Sequence, residues 1–136
     1  MNVRLLAATY AAAFPNSRAW SPSEFETLLK DDATVFVGDE ASFLIGRVVL
    51  DEAEILTFAT RPDVQRKGLG RSVLSRFEEL ARAKGVSHIH LEVAEDNKAA
   101  RALYLASGYS QMGLRPSYYT KTDGSEVAAL ILSKHI

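Results

Sequence analysis

The stretch Gln65-Arg66-Lys67-Gly68-Leu69-Gly70-Arg71 has the makings of an anion cradle. Two glycines let backbone N–H groups approach a phosphate closely, and the neighbouring cations add charge. A helix opening near Gly70 would bring its partly positive N-terminus to the same point. Entered from an apolar run at residues 55–60, such a loop points to a pyrophosphate. The two familiar nucleotide motifs do not fit: a P-loop needs Gly-Lys-Ser/Thr after its loop, and a dinucleotide fingerprint needs a third glycine three residues on. Neither is present.

Two further sets of side chains have chemical potential. His88, His90 and Glu92 alternate on one strand face, a His-x-His-x-Glu spacing that can converge on a metal. Only His135 remains as another histidine, and a metal would leave the glycine loop unexplained. No metal is therefore expected, and the histidines are read as lining a cleft or facing solvent. Asn97, Arg101 and Tyr104 fall at i, i+4 and i+7, on one stripe of a helix. A half-desolvated carboxyl at Glu92 could take a proton, and a phenol at Tyr104, protonated at neutral pH, could give one. The plainer readings are an exposed glutamate and an aromatic packed under a sheet.

These groups need a scaffold, and the pattern supplies one. A helix over residues 2–14 presents Val3, Leu6, Ala7, Tyr10, Ala13 and Phe14 on one face and ends at Pro15-Asn16. Ser21-Pro22-Ser23-Glu24 reads as a capping box opening a second helix. Strands are expected at residues 34–37, 42–50 and 53–60, joined by short turns suited to antiparallel hairpins. The period then changes. Val73, Leu74, Phe77, Leu80 and Ala81 form a helical stripe closed by Lys84-Gly85. A strand at 88–93, a helix at 98–107 capped by Asn97, and strands at 109–114 and 127–134 complete the order. Residues 55–60, the helix after them and residues 88–93 make a βαβ crossover, so those two strands should lie parallel and adjacent. The expected fold is a mixed α/β sheet, mostly antiparallel with one parallel pair and helices on both faces. It forms a single domain over residues 1–136, with its ligand beyond the carboxyl ends of the pair.

Composition narrows the function. A net charge of −1 provides no basic excess for binding a phosphate backbone, so no nucleic-acid role is expected. The absence of cysteine removes any enzyme-bound acyl-thioester. Arg4 followed by Leu5-Leu6-Ala7-Ala8 has the outline of a secretion signal, but Thr9 and Tyr10 break the run, and its spacing is that of a folded helix. No run is long enough to span a bilayer. A cytoplasmic protein without membrane attachment is expected.

The loop matches the Gln/Arg-x-x-Gly-x-Gly/Ala pattern of GCN5-related N-acetyltransferases, which hold the pyrophosphate of coenzyme A this way. Trp20, residues 24–29, Leu91-Glu92-Val93, Asn97, Leu103-Tyr104, Gly108-Tyr109, Arg115-Pro-Ser-Tyr118-Tyr119 and Thr122-Asp123-Gly124 extend the likeness through most of the chain. The ordered set resembles bacterial ribosomal-protein alanine N-acetyltransferases.

The resemblance implies acetyl-CoA as co-substrate and a parallel pair splayed to admit pantetheine from one side and an amine from the other. It implies the amides of Arg66, Lys67, Gly68, Leu69, Gly70 and Arg71 on the pyrophosphate, and the backbone of Phe58, Ala59 and Thr60 on the pantetheine. Asn97 would touch the cofactor, Glu92 would be the base and Tyr104 the acid. Arg115, Tyr118 and Tyr119 would line the acceptor side. Three departures bear on the acceptor: Ala94 stands where an arginine is usual, Glu126-Val127-Ala128 where Glu-Asp-Ala is usual, and the opening strand of most members is missing, leaving a sheet edge uncovered. Three functional classes remain: an N-terminal protein acetyltransferase, an acetyltransferase for a polyamine, amino sugar or amino acid, and a non-catalytic coenzyme A binder.

Overall fold

Asn2 starts the first helix, α1 (Val3–Ala13), by accepting the amides of Arg4 and Leu5 at 3.1 and 3.2 Å. The capping box then opens α2 (Pro22–Leu29): Ser21 accepts from the Glu24 amide at 3.1 Å, and the Glu24 carboxylate accepts from the Ser21 amide at 3.2 Å. In the computed structural model, which describes residues 1–136, the strands that follow are β1 (Thr34–Gly38), β2 (Ser42–Val49) and β3 (Glu52–Thr60). Next come α3 (Leu69–Ala83), β4 (His88–Ala94), α4 (Lys98–Ala106), β5 (Ser110–Thr120) and β6 (Glu126–His135). Gly85 and Gly108 take positive φ just past α3 and α4, where a side chain would be strained.

The six strands form one sheet in the order β1-β2-β3-β4-β6-β5, and only β3 and β4 run parallel. Apolar side chains cover both faces. On one, Leu74 and Phe77 of α3 and Tyr104 of α4 pack with Ile89, Leu91 and Val93 of β4. On the other, Leu6 of α1 and Phe25 of α2 pack on Phe43, Ile45 and Ala59. The α1 face is the one anticipated, with Val3, Ala7, Tyr10, Ala13 and Phe14 around Leu6. No helix is long and apolar enough to cross a membrane.

The parallel pair is short. β3 and β4 are in register only from Glu52 and His88 to Ile55 and Leu91, although β3 continues to Thr60 and β4 to Ala94. The cause lies in β3 itself. Against β2 its register passes from Gly46 opposite Ile55 to Ile45 opposite Thr57, so Leu56 is an extra residue in a bulge. A bulge bends and overtwists its strand, and this one falls where β3 leaves β4. It also reverses the faces: Ala53 and Ile55 point towards α3 and α4, whereas Ala59 points towards α1 and α2.

Gly46 sits opposite this bulge and lets α3 dock. A Cβ there would lie 2.6 Å from the Phe77 ring and 3.0 Å from the Glu54 carbonyl oxygen. Gly46→Ala is therefore expected to cost about 1–3 kcal/mol, the range for overpacking a filled core. A denaturant melt of the purified variant would measure it, and unchanged stability would show that the ring has room to move.

β5 is longer than the sequence pattern indicates. Pro116 removes a donor and Ser117 adopts φ 52°, which together read as a strand stop. The strand absorbs both in an irregularity between Arg115 and Tyr119, then resumes pairing at Tyr119 with Val127. Edge position makes this tolerable, since β5 has a neighbour on one side only.

Candidate active site

The glycine loop enters α3 with its amides free. Gln65 is tied back by its side-chain amide, which donates to the Thr60 carbonyl at 2.9 Å. Arg66 and Gly68 then take φ 64° and 78°, left-handed values that turn successive N–H groups to one side. From Arg66 through Arg71, six consecutive N–H groups donate to no acceptor in the protein, and the first amide to bond is that of Ser72, to Gly68. No side chain caps this helix end. With Arg66, Lys67 and Arg71 exposed around it, the loop suits a doubly charged pyrophosphate by donor count and by sign.

Gly70 locates the loop relative to the cleft. Its Cα is close to three elements at once, for a Cβ there would be 3.6 Å from Leu103 of α4, 3.7 Å from Phe58 and 3.8 Å from the Thr60 hydroxyl of β3. Past the bulge, β3 offers a free backbone edge. The Arg61 amide bonds the Ala41 carbonyl at 2.7 Å, which sets the alternation. Thr57, Ala59 and Arg61 therefore direct their backbone groups to the β2 side, and Phe58 and Thr60 direct theirs into the gap beside β4. On β4 the Glu95 amide bonds the Ala128 carbonyl at 2.9 Å, so by the same alternation Glu92 and Ala94 present their backbone groups to that gap. An extended chain laid between the strands would find donors and acceptors on both walls.

Glu92 stands on the α1/α2 side of the sheet, since Leu91 and Val93 on either side of it are buried against α3 and α4. Its side chain is 29% exposed, and its Oε1 lies 3.2 Å from Nη2 of Arg115. The Arg115 guanidinium also lies 5.1 Å from the Tyr118 ring centroid, and Tyr118 meets Tyr119 edge-on at 5.1 Å. The Tyr119 phenol is pushed up to about 12, chiefly by burial and next by the Glu92 carboxylate. The stretch Arg115–Tyr119 thus gathers beside Glu92.

Tyr104 approaches from the other face. Its ring meets Phe58 at 6.2 Å and Tyr109 at 5.5 Å, both edge-on. Burial raises its phenol above the ordinary value, and the charge of Tyr119 raises it further. The hydroxyl bonds to no protein group.

The remaining candidates have other partners. Asn97 accepts from the Ala100 amide at 3.2 Å and so caps α4, and Arg101 donates to the Glu95 carbonyl at 2.8 Å. His90 pairs with Glu54 at 3.1 Å, and the His88 ring lies against that of His135, tilted by 50° with centroids 3.6 Å apart. Glu92 turns instead to Arg115, so the His-x-His-x-Glu pattern does not converge. Ala94 ends β4, and Val127 lies near the start of β6.

Comparison with known proteins gives this site its class. Residues 3–109 match the model of the acetyltransferase (GNAT) family. The chain belongs to the GNAT acetyltransferase family. It is 38% identical over 122 residues to the ribosomal protein bS18-alanine N-acetyltransferase of Escherichia coli strain K12, covering 89% of this chain and 82% of that protein. The crystal structure of the ribosomal-protein-S18-alanine N-acetyltransferase from Escherichia coli superposes with a TM-score of 0.88 at 32% identity, covering 98% of this chain and 87% of that one. Arabidopsis thaliana NAA60 in complex with acetyl-CoA shares the fold at 14% identity, with a TM-score of 0.84 over 99% of this chain and 93% of that one. As a GNAT enzyme the chain is an acetyl-CoA-dependent N-acetyltransferase. The free amides of the glycine loop and the open edges of β3 and β4 fit that co-substrate.

Two features of the site escape a sequence reading. Lys121 on the strap after β5 pairs with Asp96 in the β4–α4 loop, and the Thr122 amide bonds the Asn16 carbonyl at 3.2 Å, so three loops distant in the chain meet. Nothing in the sequence pairs them. Glu78 is buried, accepting from the Tyr109 hydroxyl at 2.9 Å and from Lys134 at 3.1 Å. A signal existed here: Glu78 falls at i+4 from Leu74 and three residues before Ala81, inside the apolar stripe.

Proposed function

We propose that this enzyme acetylates the N-terminal α-amine of a protein whose first residue is small, with a ribosomal protein as the acceptor. The observation that carries this reading is the 38% identity, over 89% of the chain, to an enzyme named for the alanine of ribosomal protein bS18. Charge at the site supports it. Two carboxylates of this region already pair with cations, Glu92 with Arg115 and Asp96 with Lys121, which weakens the hold they would have on a polyamine.

Acetyl-coenzyme A supplies the thioester. Glu92 takes a proton from the acceptor ammonium, and the freed lone pair forms the C–N bond as the C–S bond breaks. The second proton that leaves the nitrogen as the amide forms is passed through water to the departing sulfur, so coenzyme A leaves as its thiol. Tyr104 donates a hydrogen bond to the departing sulfur. Its raised phenol holds its proton more tightly than a thiol of ordinary pKa about 8.5, so its contribution grows with the charge on sulfur. Free N–H groups at the ends of β3 and β4 are available to the carbonyl oxygen.

Proton availability favours the same acceptor. At pH 7 an α-amine of pKa about 8 is roughly 10% neutral, and a lysine amine of pKa about 10.4 is below about 0.1% neutral. A single carboxylate base is matched to the former. With acetyl-CoA and the purified enzyme, an alanine-initiated peptide is expected to give a kcat/KM at least about 10²-fold above that of a polyamine or of an N-blocked lysine peptide, as the neutral fractions imply. Mass spectrometry of each product would measure this. Faster reaction of the polyamine or the lysine peptide would overturn the acceptor assignment and leave the enzyme class standing.

A further inference from the structure

Thr57 carries the one buried side-chain polar atom in the chain that has no hydrogen-bond partner. The residue is 5% exposed. Sealing a hydroxyl away from water without a partner is unfavourable, and such groups are few in folded proteins. A strand position beside Ile45 could hold valine at equal volume with no such cost. Its placement gives the hydroxyl a use. Thr57 is the first residue of β3 after the Leu56 bulge, two residues before Ala59 and on the same α1/α2 face. Glu92 is the first residue of β4 after the last paired position, Leu91, and it lies on that face too. The two residues therefore flank the apex of the opening between the strands, on one side of the sheet.

We propose that the Thr57 hydroxyl is a catalytic contact that accepts a hydrogen bond from the acceptor amine while Glu92 removes a proton from the same nitrogen. This rests on Glu92 being the base. With one N–H held by the hydroxyl, the nitrogen has less freedom to turn away from the thioester carbon once Glu92 has freed its lone pair. The hydroxyl is covered in the free chain. Contact follows when the acetyl group enters the apex and the strand edges part, so the hydroxyl is unsatisfied only until the site is loaded.

The test compares Thr57→Val and Thr57→Ser with the parent enzyme on an alanine-initiated peptide. Thr57→Val keeps the shape and is expected to melt at or above the parent temperature while kcat/KM for the peptide falls about 10- to 100-fold, with KM for acetyl-CoA within about twofold. Thr57→Ser restores the hydroxyl and should recover activity to within about threefold, although it loses a methyl group. Parent-like activity in Thr57→Val would overturn the proposal, as would Thr57→Ser losing as much as Thr57→Val. Glu92→Gln, assayed alongside, separates the two readings. If Glu92→Gln is fully active while Thr57→Val is impaired, the amine contact stands and the base assignment falls. If Glu92→Gln is impaired and Thr57→Val is not, the base stands and the contact falls.

Discussion

Glu92→Gln is expected to lower kcat by about 10²- to 10⁴-fold, the usual share of a positioned general base, while the Kd for acetyl-CoA stays within a few-fold of the parent value. The separation follows from geometry. In the proposed scheme the cofactor contacts come from the loop at Arg66–Arg71, whose amides are free, and from the open edge of β3, whereas Glu92 is apart from both and paired with Arg115 at 3.2 Å. The amide of glutamine keeps the volume and can still accept from the guanidinium, so the fold has little reason to change. Only proton acceptance is lost. A glutamine cannot take the proton, so the variant depends on amine that is already neutral, and its residual rate should rise with pH through the α-amine pKa of about 8. Steady-state kinetics from pH 5 to 9, with acetyl-CoA binding measured separately, would check both. Wild-type kcat in the variant would remove Glu92 from the mechanism.

Tyr104→Phe is expected to lower kcat by about 10²-fold or more, in line with the loss of one preorganised donor at a charge-developing atom. Stability should change little. The hydroxyl has no protein partner to lose, and the ring contacts with Phe58 and Tyr109 remain. The pH dependence has a definite sign. The protonated phenol is the active form, and burial followed by the charge of Tyr119 raises its pKa, so that form persists to higher pH than in an exposed tyrosine. Loss of this proton should therefore cause no fall in kcat below about pH 10. An alkaline limb centred near pH 9 in the parent and absent from Tyr104→Phe would contradict the assignment, as would full activity in the variant.

The elements themselves were legible in the sequence where one local rule settled them. Ser21 through Glu24 make their capping box by contacts within four residues, and the α1 face follows from spacing alone. The parallel pair was likewise forced, because a strand, a helix and a strand in that order leave one favoured connection. Local rules misjudged β5. Pro116 and Ser117 look like an end when taken alone, and only pairing with β6 on both sides of the irregularity carries the strand through to Thr120.

The candidate site divides in the same way. Residue types and spacing made the glycine loop, the carboxyl at Glu92 and the phenol at Tyr104 candidates, because an anion cradle and a proton donor or acceptor depend on chemistry carried by short segments, and the family resemblance gave the last two their proposed roles. The tertiary structure decided what these groups face. The bulge at Leu56, which ends the pairing of β3 with β4, depends on register against β2 and has no local signature. Arg115 reaches Glu92 from β5 across β6, and the strap, the β4–α4 loop and the α1–α2 connection meet through Lys121, Asp96 and Asn16. The same holds for the unpartnered hydroxyl of Thr57, since burial is a property of everything packed around an atom. Composition and periodicity describe one segment at a time, and contacts between segments far apart in the chain exist only once the sheet has closed the distance.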